Sequence, residues 1–135
     1  MKLKVKFEML HDILSLYLES IEALIKNLRD AYVERYEEEI LAFNRINLRI
    51  RVRFKTGYLF ELNEAAIVVA DQFKRLNYRY HFQDSQNNLV FRYDNTPHFP
   101  DLESFPHHKH LSNKVISSEE PSAIMAIEEA IRLAK

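Results

Sequence analysis

Cysteine is absent from the 135 residues, which excludes disulfides, thiol nucleophiles, cysteine-ligated zinc and iron–sulfur clusters. Glycine occurs once, at Gly57, so no glycine-rich loop can cradle a phosphate. A dominant charge is also missing. The 19 basic and 20 acidic side chains give a formal net charge of −1, so attraction to nucleic acid or membrane would need a local patch. No apolar run approaches the roughly 20 residues that span a bilayer. Glu8, His11 and Asp12 interrupt the opening stretch where a secretory signal would need its apolar segment. The expectation is a cytoplasmic protein without membrane association. What remains is an ordinary globular composition, 47% hydrophobic and 29% charged, at a length that suits one domain over 1–135.

Hydrophobic periodicity divides the chain. Over 8–28, Leu10, Ile13, Leu14, Tyr17, Leu18, Ile21, Leu24, Ile25 and Leu28 recur at intervals of three and four, which predicts an amphipathic helix with a core-facing stripe. The period then changes to two. Asn47, Arg49, Arg51, Arg53 and Lys55 alternate with Leu48, Ile50, Val52 and Phe54, and Lys55-Thr56-Gly57 forms a turn into a second strand from Tyr58 to Val69. Ala31 to Leu41 suits either helix or strand and is taken as a strand, with Ala42 to Arg45 as a connecting turn. Asn77 to Gln83 and Leu89 to Asp94 read as a hairpin across five polar turn residues, completing an antiparallel meander over 31–95. Residues 96–113 lose periodicity and hold three of the four prolines, so they read as an ordered His/Pro-rich loop. A closing helix over 122–134 follows, with its cap expected near Ser118 and Ile124, Ala126 or Ile127, Ala130 and Ile131 inward.

Two features could carry chemistry. Arg49, Arg51, Arg53 and Lys55 would put four cations on one strand face, a phosphate-binding surface. Against this, Glu34, Glu37, Glu38, Glu39, Glu61 and Glu64 flank the stripe in sequence and could neutralise it across the sheet. The second feature is the loop. Four of the six histidines, His98, His107, His108 and His110, fall within 13 residues, close behind Arg92, Asp94 and Asn95. Imidazoles titrate near neutrality and can act as general base and general acid, while Arg92 and Lys109 could stabilise charge developing on a phosphorane. A metal reading competes: His98, His108 and His110 with Asp94 or Asp101 offer nitrogen and oxygen donors, and in an extended segment His108 and His110 would point the same way. A third reading is structural, with these residues tying down the loop. His11 and His81 stand alone and read as surface or interface residues.

The three-part pattern Tyr78-Arg79-Tyr80-His81-Phe82-Gln83-Asp84, Phe91-Arg92-Tyr93-Asp94-Asn95-Thr96-Pro97-His98 and Phe105-Pro106-His107-His108-Lys109-His110 resembles the TumE family, the toxin half of bacterial and archaeal type II toxin–antitoxin pairs. The chain departs from the family pattern at Phe99, where a second histidine commonly follows the first. The resemblance implies a cognate antitoxin as partner and carries over to Asp84, Arg92, Asp94, Asn95, His98, His107, His108, Lys109 and His110. Many unrelated toxins of such pairs cleave RNA, which supports a ribonuclease by analogy.

The combined expectation is an α+β fold, with an antiparallel sheet of four or five strands between an N-terminal and a C-terminal helix. Its leading activity is a metal-independent ribonuclease without cofactor. His108 and His110 (or His98) would exchange the proton, Arg92 and Lys109 would hold the phosphate, and Asp94 would orient a partner. Asp84, Asn95, His107, Arg49, Arg51 and Arg53 would assist binding. The alternatives are a non-enzymatic binding module anchored by Phe99 or Phe105, and a metal-dependent nuclease or hydrolase. Open sheet edges make a homodimer a further expectation.

Overall fold

Alternating sequence becomes strand along most of the chain. The computed structural model describes residues 10–135. The ambiguous segment after the first helix is β1 (Ala31–Ala42), and the cation-alternating run is β2 (Arg45–Phe54). The chain turns at Phe43-Asn44 between them, as expected. Next come β3 (Leu59–Val69), β4 (Gln72–Gln83) and β5 (Leu89–Asp94), then two strands the sequence did not predict, β6 (His108–Leu111) and β7 (Lys114–Ser117). All pair antiparallel with their chain neighbours in one seven-stranded meander. The expected four or five strands were therefore too few, because the end of the supposed loop over 96–113 is a hairpin. Four-residue strands such as His108–Leu111 are too short to display a period.

Helix α1 (Asp12–Lys26) is shorter than the predicted 8–28, and residues 8 and 9 lie outside the described residues. His11 caps it, its Nδ1 accepting from the Ile13 amide at 3.0 Å, so this histidine is a cap and not a bare surface residue. Helix α2 (Ala123–Leu133) starts at Ser122, whose Oγ accepts from the Met125 amide at 3.1 Å. The cap lies beyond the expected Ser118, whose hydroxyl donates to the Glu119 carbonyl at 2.8 Å while its amide donates to Ser104 Oγ at 2.9 Å and fastens the loop. Among the described residues no helix is long and apolar enough to cross a membrane.

Both helices cover the same face of the sheet. Leu14, Leu18, Ile21 and Ile25 of α1 and Ala123, Ala126, Ile127 and Ala130 of α2 form one core with Leu48, Ile50, Leu62, Tyr80, Phe82 and Phe91. Full burial of each large side chain contributes on the order of 1.5–3 kcal/mol. A polar knot sits within this apolar layer. The Glu64 carboxylate is buried and accepts from the Tyr17 and Tyr80 hydroxyls and from Arg75 Nε at 2.9 Å. Burial, reinforced by the Glu64 charge, holds both tyrosine hydroxyls far above their ordinary pKa. Glu64 thus leaves the set of acids expected to neutralise the basic stripe.

Local irregularity makes the knot possible. In β4 the register slips where Ala65 faces Asn77 but Ala66 faces Arg75, so Leu76 is an extra residue. The bulge brings Arg75 to the helix-covered side, with its guanidinium 4.9 Å from the Phe73 ring centroid. The β3–β4 turn is as irregular: Ala70 and Asp71 both have positive φ, 50° and 59°, without the glycine or asparagine such turns favour. For that reason the sequence showed no strand before Asn77.

Replacing Glu64 by leucine should leave the buried Arg75 cation with only its longer contact to Glu120, at 3.4 Å, and lower stability by about 3–5 kcal/mol, seen as a fall in the urea midpoint at unchanged slope. The double variant E64L/R75M should recover much of that loss. Equal losses in the single and double variants would contradict the role given to the knot.

Candidate functional site

Among the described residues the opposite face carries no helix, and strand register decides which side chains meet there. Arg79 of β4 pairs with Asp94 of β5, and Asp94 with His108 of β6. One pleat along, His81 pairs with Arg92, and Arg92 with His110. Six polar residues thus form two adjacent rows on the outer face, interleaved with Tyr80, Tyr93 and Lys109 on the inner one.

Asp94, His108 and His110 converge. Asp94 Oδ1 lies 2.9 Å from His108 Nε2 and Oδ2 lies 3.4 Å from His110 Nε2. One donor atom from each of the three falls within 4.8 Å of the others, an arrangement able to hold a metal ion. Surrounding backbone aims them: Thr96 N–H donates to Asp94 Oδ1 at 3.0 Å, and His108 Nδ1 sits 3.0 Å from the Pro106 carbonyl. Since a carbonyl only accepts, that contact places the His108 proton on Nδ1. The Phe99 ring roofs the pair, with centroid separations of 4.9 Å to His108 and 5.9 Å to His110. Phe99, the departure from the family pattern, is therefore a lid over the imidazoles. His108 is 2% exposed, whereas the His110 side chain keeps 23%, so the cluster opens to solvent on the His110 side. Burial lowers the His110 pKa from its ordinary value, against an upward pull from Asp94.

Beside the cluster lie cations without anions. Among the described residues neither Arg79 nor Arg92 forms an ion pair. Arg92 Nε donates to His81 Nδ1 at 3.3 Å, while His81 Nε2 donates to Gln83 Oε1 at 2.8 Å. His81 is thus part of this face and not the isolated residue the sequence suggested. Alternation alone puts His81 and Arg92 on the polar faces of their strands, but their pairing depends on the register shift between Phe82 and Gln83, which the sequence does not mark.

Other candidates are elsewhere. Lys109 points to the inner face, where it pairs with Glu129 of α2 at 2.9 Å and lies 4.7 Å from the Tyr93 ring centroid. Burial pulls the Lys109 pKa down, but its bonds to Glu129 and Tyr93 outweigh this and the net shift is upward. It cannot share a phosphate with Arg92, because adjacent strand residues face opposite ways. His107 is also on the inner side, 2.8 Å from the Tyr78 hydroxyl and 3.7 Å from Glu120. His98 is exposed and outside the converging group, as is Asp101. Asp84 organises the β4–β5 turn, its Oδ1 accepting the Gln86 and Asn88 amides at 2.9 Å. Asn95 ties the loop to β4, accepting from the Tyr78 amide and donating to the Leu76 carbonyl. In the basic stripe, Arg51 pairs with Glu34 and Glu61, and Arg53 with Glu34, leaving Arg49 exposed.

Burial lowers the His81 pKa from 6.5; the Gln83 hydrogen bond opposes this, and the Arg92 and Arg79 charges add to it. The unfolded chain therefore binds this proton more readily than the folded one. The corresponding stability is complete above about pH 6.5 and is lost progressively as the pH falls below it. His81→Gln should flatten this acid-side decline, followed as urea midpoints from neutral pH downward; an unchanged decline would contradict the burial of a neutral imidazole.

A family model described as Toxin TumE matches residues 21–134. No curated protein and no solved structure matches the chain. The family match runs from within α1 through α2 and takes in all seven strands and the Asp94–His108–His110 cluster, and by it the chain belongs to the Toxin TumE family.

Proposed function

We propose that this toxin acts as a ribonuclease at the outer face of β4, β5 and β6, and that a cognate antitoxin silences it as the partner in a type II pair. The observation that carries the reading is the convergence of Asp94, His108 and His110 beside Arg79 and Arg92, two cations without ion-pair partners among the described residues. A phosphodiester needs cations for its charge and a group that takes a proton from the attacking hydroxyl. Arg92 and Arg79 supply the first, with Arg49 further along the face. The cluster supplies the second through its open His110 side. As the attacking oxygen bonds to phosphorus and its proton passes to His110, the bond to the leaving oxygen breaks and that oxygen takes a proton back from His110 through water.

The geometry favours this over proton exchange between His108 and His110. His108 is sealed, with its Nδ1 bound to Pro106, and has no face free for substrate. A docking role for the loop has weaker support at Phe99, which is spent on covering the two imidazoles; Phe105 is the exposed ring, at 44%.

The test is total-RNA integrity after induction of the wild type, Arg92→Ala, His110→Ala and Lys109→Ala in cells without antitoxin. RNA should be cleaved by the wild type and K109A, and should survive at least tenfold longer with R92A or H110A. Growth arrest over intact RNA would contradict the ribonuclease. Loss of cleavage in K109A alone would move the site to the helix-covered face.

A further inference from the structure

The contact between His108 and Asp94 poses a chemical problem. With Nδ1–H given to the Pro106 carbonyl, Nε2 of a neutral His108 is a lone pair, and at 2.9 Å it faces a carboxylate oxygen that is also an acceptor. Nε2 is buried and makes no hydrogen bond, since its approach to Asp94 lacks hydrogen-bond geometry. Two acceptors turned toward one another in a buried site call for a positive centre between or beside them.

We propose that Asp94, His108 and His110 bind a divalent transition-metal ion of the zinc type. Two imidazoles and a carboxylate form a common donor set for such an ion, and three protein ligands leave coordination open for water, the pattern of catalytic sites and not of closed structural ones. Bonds of about 2.0–2.2 Å at tetrahedral angles place donors roughly 3.3 Å apart; Asp94 lies 2.9 Å from His108 through Oδ1 and 3.4 Å from His110 through Oδ2, and one donor from each residue falls within 4.8 Å of the others, so a small closure of the ligands would complete the geometry. Supporting contacts match as well. Metal-bound histidines commonly give their other ring N–H to a backbone carbonyl, and bound carboxylates are themselves hydrogen-bonded. Pro106 does the first for His108 and the Thr96 amide does the second for Asp94. Phe99 excludes water from one side, and the open side faces His110 and Arg92.

Metal binding follows from these residues alone; its use in cleavage rests on the reading of this face as the reacting centre. There the ion would activate water or the attacking hydroxyl in place of a free imidazole.

The experiment takes the full chain after dialysis against EDTA and titrates it with Co²⁺, read by its visible d–d bands, and with Zn²⁺ by calorimetry. Wild type should bind one equivalent of each. Asp94→Asn and His110→Ala, confirmed folded by circular dichroism, should bind at least tenfold more weakly, and His98→Ala, an exposed residue outside the cluster, should bind as wild type. Absence of binding, or equal binding by all four proteins, would overturn the site. RNA integrity measured on the same preparations separates the two claims. Cleavage in EDTA without metal binding would retain the ribonuclease and reject the metal; one bound equivalent with intact RNA would do the reverse.

Discussion

A β-strand sends successive side chains to opposite faces, and every functional role in this protein depends on which face the helices cover. Because α1 and α2 share one core with Tyr80, Phe82 and Phe91, the alternate residues Arg79, His81, Arg92 and Asp94 remain on the other side. The same rule divides the short stretch His107 to His110. His108 and His110 join Asp94, while His107 and Lys109 join Tyr78 and Glu129 in fastening the inner layer. One cluster of basic residues in sequence is thus two clusters in space, one holding the fold and one free for chemistry.

The inner layer has its own polar order, which gives the outer one its rigidity. Glu64 gathers Tyr17, Tyr80 and Arg75, and Arg75 reaches Glu120, which in turn approaches His107 and, through it, Tyr78. These contacts run from α1 across β3 and β4 to the residue just before β6. They hold the backbone of His108 from beneath, while Pro106, Thr96 and Phe99 set its ring and its neighbours from above. A cluster fixed from both sides costs little reorganisation when a substrate or ion arrives.

How much of this could be read from the sequence varied with the physical origin of each element. Strand β2 was legible because five apolar residues alternate with five polar ones across its whole length, and Gly57, with φ of 93°, marks the turn that follows. β6 and β7 were not, since four residues cannot show a period and their hairpin turn, Ser112-Asn113, has no glycine. The start of β4 was hidden by Ala70 and Asp71, which adopt left-handed conformations that their side chains do not advertise, and by the bulge at Leu76. Asp94, His108, His110 and Arg92 were identified as candidates from residue type and spacing. Lys109 was expected to share the phosphate with Arg92, and only the extended backbone of β6 sets it on the opposite face; the arrival of His81 likewise required the register of the β4–β5 hairpin. Burial of His108 under Phe99 was invisible, because it depends on how a proline-rich loop folds back over the sheet.

The central claim is that the face of β4, β5 and β6 around Asp94 is where the toxin meets its substrate. The most direct measurement is amide and imidazole NMR of the full chain during titration with a short 2′-deoxy oligonucleotide that cannot be cleaved through a 2′-hydroxyl. The account predicts saturable shifts concentrated at Arg79, His81, Arg92 and His110, with Lys109 and Glu129 unmoved. Shifts centred on Lys109, Glu129 and α2, or none at saturating oligonucleotide, would contradict it.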